Sequence, residues 1–330
     1  MISNHFDGKR FRSPEPFDVS FADWVKRAVS HNRGPWRRFT AAEQARPEKR
    51  VGHGDLRVTF VNHATVLVQM DGLNILTDPT WAERSVPVVG PRRRRPPGIA
   101  FEDLPPIDLV LISHDHHDHM DFPTLRLLKT VHAPVIYAGL GSARLLAKRG
   151  IAGSQDLDWW QSAQVAPGVT VTAVPARHIS GRSVFDHNRR LWCGFVISGP
   201  SGNVYFAGDT GVGSHFAQIQ RRFGSFRLAL LPIGGATPRW YQEGQHIGPQ
   251  DVVGLAAVLH AGTTMPIHFG TFPQSDDGEL EPASELRCQL EQAVPRPRFV
   301  VLDNGETASI PETAEAAVAA TPLATVSASR

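Results

Sequence analysis

The run His114-Asp115-His116-His117-Asp118-His119 puts four candidate metal ligands, His114, His116, Asp118 and His119, into one short loop. Imidazole and carboxylate are the donor types that suit zinc, manganese or iron, and the alternating spacing lets one turn aim side chains at two adjacent ions. A polar surface loop with incidental histidines is the bland reading, and the density of ligand-capable residues at a strand's end argues against it. One loop rarely completes a two-metal site, so further ligands are expected from strand ends later in the chain. His178 follows the apolar run 169–175, Asp209 lies in Phe206-Ala207-Gly208-Asp209-Thr210-Gly211, and His268 ends Met265-Pro266-Ile267. Singly each is weak, since a histidine after a strand is usually a packing residue and Gly-Asp-Thr-Gly is usually just a turn. Together they repeat one placement. The chemistry such a set supports is hydrolysis, because two ions roughly 3.5 to 4 Å apart share a hydroxide at neutral pH and neutralise charge on the attacked group.

Several elements must position these residues. Asp108-Leu109-Val110-Leu111-Ile112 reads as a strand buried on both faces that delivers the histidine loop. Before it, β-branched runs at 58–61, 65–68 and 73–76 are separated by turn residues, as in a strand meander. Further strands are expected at 134–138, 169–175, 192–198, 203–207, 228–232 and 265–268, and helices at 122–130, 141–149, 214–222, 249–260 and 282–293. The sum is an α/β chain in which two packed sheets are flanked by helices. Residues 1–50 are polar, rich in proline and arginine, and carry Phe6, Phe11, Phe17, Phe21, Trp24 and Trp36; they are expected to form an arm with one short helix, pinned to the core by its rings. Residues 51–310 are expected to form the hydrolase domain, and the alanine-, threonine- and serine-rich stretch 311–330 reads as a disordered tail.

Composition narrows the partners. In 330 residues, 34 lysines and arginines nearly balance 32 aspartates and glutamates, so no global charge recruits nucleic acid or a membrane. Cys193 and Cys288 lie far apart and read as packing residues in a reducing compartment. The start of the chain lacks the features of a secretory signal, and no apolar stretch reaches the ~18 to 20 residues of a membrane span, which together predict a cytoplasmic protein. The run Arg92 to Arg95 could meet phosphate, but a charge run is more simply a solvated loop. Trp159, Trp160 and Trp240 read as packing residues rather than a lipid-binding rim.

The histidine motif, the later histidines and the Gly-Asp-Thr turn resemble those of the metallo-β-lactamase superfamily. Within it, Phe60-Val61-Asn62-His63-Ala64-Thr65, Leu76-Thr77-Asp78-Pro79, Leu104-Pro105-Pro106-Ile107-Asp108 and Leu157-Asp158-Trp159-Trp160 are similar to segments of the N-acylphosphatidylethanolamine-hydrolysing phospholipase D family and its bacterial relatives. Leu231-Pro232-Ile233-Gly234, Pro238-Arg239-Trp240, Gln245-His246 and Ile267-His268-Phe269-Gly270-Thr271 follow in the same order. The resemblance implies an αββα sandwich of two mixed sheets flanked by helices. It assigns His114, His116 and His178 to one metal, Asp118, His119 and His268 to the other, and Asp209 to the bridge, leaving Asp115 and His117 out as ligands. It places Gln245 and His246 beside the substrate phosphate, with His246 and Asp209 as the catalytic residues, while His246 also reads as a structural histidine in a helix-start loop. Asp78 reads as the acceptor that orients a ligand histidine, a role that Asp121 could share. Two zinc ions per chain are the default, with iron or manganese as alternatives. The implied activity is a phosphodiesterase of phospholipase D type acting on N-acylphosphatidylethanolamine-like phospholipids or a small phosphodiester through a metal-bridging hydroxide. A homodimer and a peripheral contact at the inner face of the membrane are compatible with it. Asn62 stands where that family has glycine, and His117 where the phospholipase has tyrosine. Hydrolysis of a lactone or other ester by the same site is the competing enzyme reading, and a non-catalytic metal-bound ligand-binding protein is the third.

Overall fold

A computed structural model describes residues 3–16, 21–30 and 32–312. Beyond its first two residues, the expected tail from 311 lies outside these, as do Phe17 and the rings of Phe21 and Trp24.

Strands form mostly where apolar residues continue without polar alternation, and the packing explains why. Seven of them, β1 (Leu56–Asn62), β2 (Thr65–Met70), β3 (Leu73–Thr77), β4 (Leu109–Ile112), β5 (Val135–Gly139), β6 (Gln155–Leu157) and the late β13 (Thr307–Ser309), make a sheet ordered β13-β1-β2-β3-β4-β5-β6. The second sheet, ordered β12-β11-β10-β9-β8-β7, contains β7 (Ser162–Ala166), β8 (Val169–Val174), β9 (Gly194–Gly199), β10 (Gly202–Phe206), β11 (Leu228–Pro232) and β12 (Thr264–Ile267). In β4, Leu109 and Leu111 face the second sheet, joining Val58, Phe60 and Ile75 against Phe195, Phe206, Leu228 and Leu230. Val110 and Ile112 point the other way, onto the helices α2 (Phe122–Val131) and α3 (Ser142–Lys148) through Leu125, Leu128 and Leu146. On the far side, Tyr205, Ala229 and Leu231 meet α4 (His215–Phe223), α6 (Pro249–Val258) and α7 (Glu281–Gln292). Both faces of each sheet are covered, so both faces are apolar. The result is a helix–sheet–sheet–helix sandwich of two mixed sheets.

Strand direction explains where the chemistry collects. β1 and β3 are each antiparallel to β2, and β4 is parallel to β3, so β1, β3 and β4 run the same way. In the other sheet β8 and β10 are antiparallel to β9, while β11 and β12 are parallel to β10. The residues just past the C-terminal ends of β1, β3, β4, β8, β10, β11 and β12 gather at one end of the sandwich.

The expected strands and helices occur within a residue or two, and the arm carries its one helix, α1 (Phe21–Val29). The short β6, β7 and β13, and the four-residue α5 (Arg239–Gln242), had no counterpart in the sequence reading. Three expectations are corrected. Cys288 faces solvent on α7, because it falls between the buried Leu286 and Leu290, while Cys193 is buried as expected. The arginine run is not a solvated loop: Arg93 is buried, with its Nε donating to Ala82 O at 2.7 Å and its guanidinium over the Phe272 ring, and Arg95 pairs with Asp303. Trp240 is 43% exposed on α5 rather than packed, whereas Trp159 is buried with its Nε1 donating to Trp192 O. Among the described residues no helix is long and apolar enough to cross a membrane.

Candidate metal centre

Each candidate ligand sits just past a strand of the common direction. His114 follows β4, His178 follows β8, Asp209 follows β10 and His268 follows β12. His116, Asp118 and His119 lie in one turn after β4, closed by the amides of His119 and Met120 donating to His116 O. All seven expected ligands come together, and His114, His119, His178, Asp209 and His268 are buried.

The centre of the arrangement is Asp209 Oδ2. It lies 3.2 Å from His119 Nε2, 3.2 Å from His268 Nε2, 3.8 Å from His178 Nε2 and 3.9 Å from His114 Nε2. His116 Nδ1 closes on His114 Nε2 at 2.7 Å and on His178 Nε2 at 3.3 Å. Asp118 Oδ2 lies 3.5 Å from His119 Nε2 and 4.0 Å from His268 Nε2.

The outer nitrogens of four of these rings are already engaged. His119 Nδ1 donates to Asp78 Oδ2 at 2.6 Å, His178 Nδ1 to Gln245 O at 3.0 Å and His268 Nδ1 to Gly234 O at 3.3 Å. His114 Nδ1 donates to Ser113 Oγ at 2.9 Å, and that hydroxyl donates to Asp78 Oδ2 at 2.6 Å. With Nδ1 as the proton donor, each Nε2 of a neutral ring turns a lone pair toward the Asp209 carboxylate. Acceptors facing an acceptor have no mutual hydrogen bond to make. Accordingly His119 Nε2, His268 Nε2 and Asp209 Oδ1 are buried without a hydrogen-bond partner. A cation satisfies all of them, so the donor set fits a metal on its own chemistry.

The electrostatics agree. Burial pushes the pKa of His119 down, but Asp209, Asp118 and Asp78 outweigh it and raise it well above the ordinary value. At His114 and His178 burial prevails and holds both rings neutral. Burial opposes ionisation of Asp209, yet the surrounding histidines, His119 and His268 foremost, keep its carboxyl well below the usual range. The pocket therefore demands positive charge. Metal binding supplies it while releasing protons.

Other expected residues are placed as follows. Asp78, just past β3, accepts from the Ser113 amide as well as from Ser113 Oγ and His119, so it braces two ligand rings at once. Asp121 does not share this work; it accepts from Thr124 Oγ1 at 2.5 Å at the start of α2. His246 faces the cleft with a buried, unpartnered Nδ1, and burial lowers its pKa to about 4. Gln245 reaches the centre through its carbonyl, while its side chain bonds Gln242 Oε1.

Two residues carried little sequence signal. His63, past β1 with φ +47°, puts Nε2 2.9 Å from Asp118 Oδ2, and its carbonyl accepts from the His268 amide at 2.7 Å. This links the two sheets at the centre. Arg182 donates to Asp115 O and Met120 O at 2.9 and 2.8 Å and to His117 Nδ1 at 2.8 Å, so a half-buried guanidinium clamps the histidine loop from behind. Asp115 turns away from the centre to pair with Arg190.

A cleft of about 350 Å³ opens above Asp209, walled by His117, Gln242, His246, Gln274 and the segment Ser85, Val86 and Pro91. Gln274 Nε2 donates to Asp118 Oδ2 at 2.7 Å. The cleft opens onto atoms able to hold metal and offers a neutral imidazole at its wall.

Comparison with known proteins matches residues 73–269 to the beta-lactamase superfamily domain. The chain is 36% identical over 266 residues to N-acyl-phosphatidylethanolamine-hydrolyzing phospholipase D 1 of Caenorhabditis elegans, covering 76% of this chain and 75% of that one. It is 28% identical over 258 residues to a UPF0173 metal-dependent hydrolase of Methanopyrus kandleri, covering 76% of this chain and 99% of that protein. A metallo hydrolase from the archaeon Ignicoccus hospitalis superposes with a TM-score of 0.62 at 22% identity, covering 78% of this chain and all 100% of the other.

Proposed function

The chain belongs to the metallo-β-lactamase superfamily and is a metal-dependent hydrolase, and from that premise we propose that it is a binuclear phosphodiesterase of phospholipase D type acting on N-acylphosphatidylethanolamine-like phospholipids. The convergence of four histidine nitrogens within 3.9 Å of Asp209 Oδ2 carries the two-ion reading. On this reading His114, His116 and His178 would hold one ion and Asp118, His119 and His268 the other, with the Asp209 carboxylate available to both. When bound, the ions, zinc by default, supply a water acidified toward neutral pH and charge neutralisation on the phosphoryl oxygens.

The remaining work falls to protein groups. Asp78 and the Gln245 carbonyl fix the rings that present Nε2, so little reorganisation is needed as charge develops. With its pKa lowered to about 4, His246 is neutral at physiological pH and suits donation of a hydrogen bond to a phosphoryl oxygen better than full protonation of the leaving alcohol. In the net reaction water oxygen bonds to phosphorus, the bond to the N-acylethanolamine oxygen breaks, and the alcohol leaves with a proton. The similarity to a phospholipase D named for this lipid supports phosphorus over a carbonyl as the centre attacked.

The test is a substrate panel of N-acylphosphatidylethanolamine, a soluble phosphodiester and lactones at equal metal loading, together with metal analysis. Close to two ions per chain and turnover of the phospholipid are expected, and Asp209→Ala loses metal and at least ~10²-fold in kcat while keeping its circular dichroism. Turnover confined to lactones overturns the phosphodiester reading. An active metal-free preparation overturns the mechanism.

A further inference from the structure

The mouth of the cleft carries apolar residues that the chemistry does not use. The segment forming one wall, from Arg84 to Arg92, is a hairpin-like loop with a bridge between those two arginines. At its tip Val88 and Val89 are 85% and 82% exposed. Across the histidine loop, Arg182 anchors a second loop by bonding His117, which lines the cleft, and two residues further on Val184 and Phe185 are 83% and 81% exposed. Single exposed apolar residues are ordinary; adjacent pairs this exposed on two loops beside the same opening are not. Trp240, on the helix whose Gln242 lines the cleft, adds a half-exposed aromatic with the Lys26 ammonium 4.2 Å from its ring.

The charges beside these tips are mainly basic. Arg33 at the cleft, Arg92 at the base of the first loop and Arg189 at the base of the second are exposed and make no ion pair among the described residues. Of the nearby acids, Asp186 is occupied by Arg190, and Glu83 stands at the edge of the first loop. Apolar tips on basic shoulders match the layering of an anionic bilayer, with phosphates outside and acyl chains below. A protein partner would call for one continuous apolar patch rather than two separated tips.

We propose that the loops bearing Val88-Val89 and Val184-Phe185 dock the mouth of the cleft on an anionic lipid surface, the four apolar side chains entering the interface while Arg33, Arg92 and Arg189 meet lipid phosphates. Docking in this way brings a phosphodiester headgroup to the opening without its leaving the bilayer. The inference rests on the phospholipid reading for its purpose, not for its observations.

The experiment is cosedimentation of the metal-loaded protein with vesicles of phosphatidylcholine mixed with phosphatidylglycerol and of phosphatidylcholine alone, neither containing the proposed substrate. Wild type is expected to partition onto the mixed vesicles, more weakly onto the neutral ones, and less as salt rises. Val88→Asp with Val89→Asp, Val184→Asp with Phe185→Asp, and the uncharged pair Val88→Ser with Val89→Ser are each expected to lower partitioning at least about tenfold, with melting temperature and metal content unchanged. Wild type remaining in the supernatant, or variants partitioning like wild type, overturns the proposal. Since no substrate lipid is present, vesicle binding here combined with no turnover of N-acylphosphatidylethanolamine in the substrate panel would sink the proposed function and leave docking intact.

Discussion

Asp78 braces two rings of the centre through one carboxylate, and that makes it the residue whose loss is most informative. Asp78→Ala removes the acceptor for His119 Nδ1 and for Ser113 Oγ, the hydroxyl that orients His114. Metal affinity should fall roughly 10- to 100-fold in a chelator competition titration, with the far-ultraviolet spectrum unchanged. Away from the metals, His215 tests linkage. Burial lowers its pKa from 6.5 to about 4, against a weaker opposing pull from Glu15. The unfolded chain therefore takes up this proton first, so the contribution is intact above about pH 6.5 and declines as pH falls toward 4. The full effect is on the order of 3 kcal/mol, and His215→Gln should lose that much less stability than wild type across this window in urea unfolding. The seven ligand positions were legible because chemistry restricts them to histidine and aspartate at strand ends. His63 was not, since a histidine after a strand is ordinarily packing and only the fold sets it against Asp118. Arg182 was invisible for the same reason, 67 and 62 residues of sequence from the Asp115 and Met120 carbonyls it holds.

Among the elements, long apolar runs were readable and short polar ones were not. β4 announces itself as Leu109-Val110-Leu111-Ile112, buried on both faces. β6, Gln-Asp-Leu, and β13, Thr-Ala-Ser, become strands only because β5 and β1 offer unpaired edges. Joins between strand and site are the most sensitive points. Gly208 links β10 to Asp209 at φ +62°, and a Cβ there would stand 2.4 Å from Ser113 Cβ. Gly208→Ala should therefore destabilise the fold by about 2 to 4 kcal/mol, read as a lower melting temperature, and should weaken metal binding by pushing the two ligand loops apart.

At the scale of the whole molecule, the ligands come from both sheets but the core between the sheets does not depend on them. Phe60, Phe195, Phe206 and Leu230 meet there, fully or almost fully buried. Chelation should accordingly abolish activity and lower the melting temperature by the lost binding free energy, while the circular dichroism stays native. Collapse of secondary structure on chelation would contradict this division. The first sheet has a further property, set by its last strand. β13 pairs with β1, and the hydroxyls of Thr59 and Thr307, 248 residues apart, meet at 2.8 Å across that pair. During translation the outer edge of β1 therefore waits for nearly the whole chain to emerge, about 12 to 50 s at cellular elongation rates. For that interval an apolar strand stands with its backbone unpaired, the condition under which chains join one another edge to edge. Among the paired strands of the described residues, no other edge waits so long for its partner.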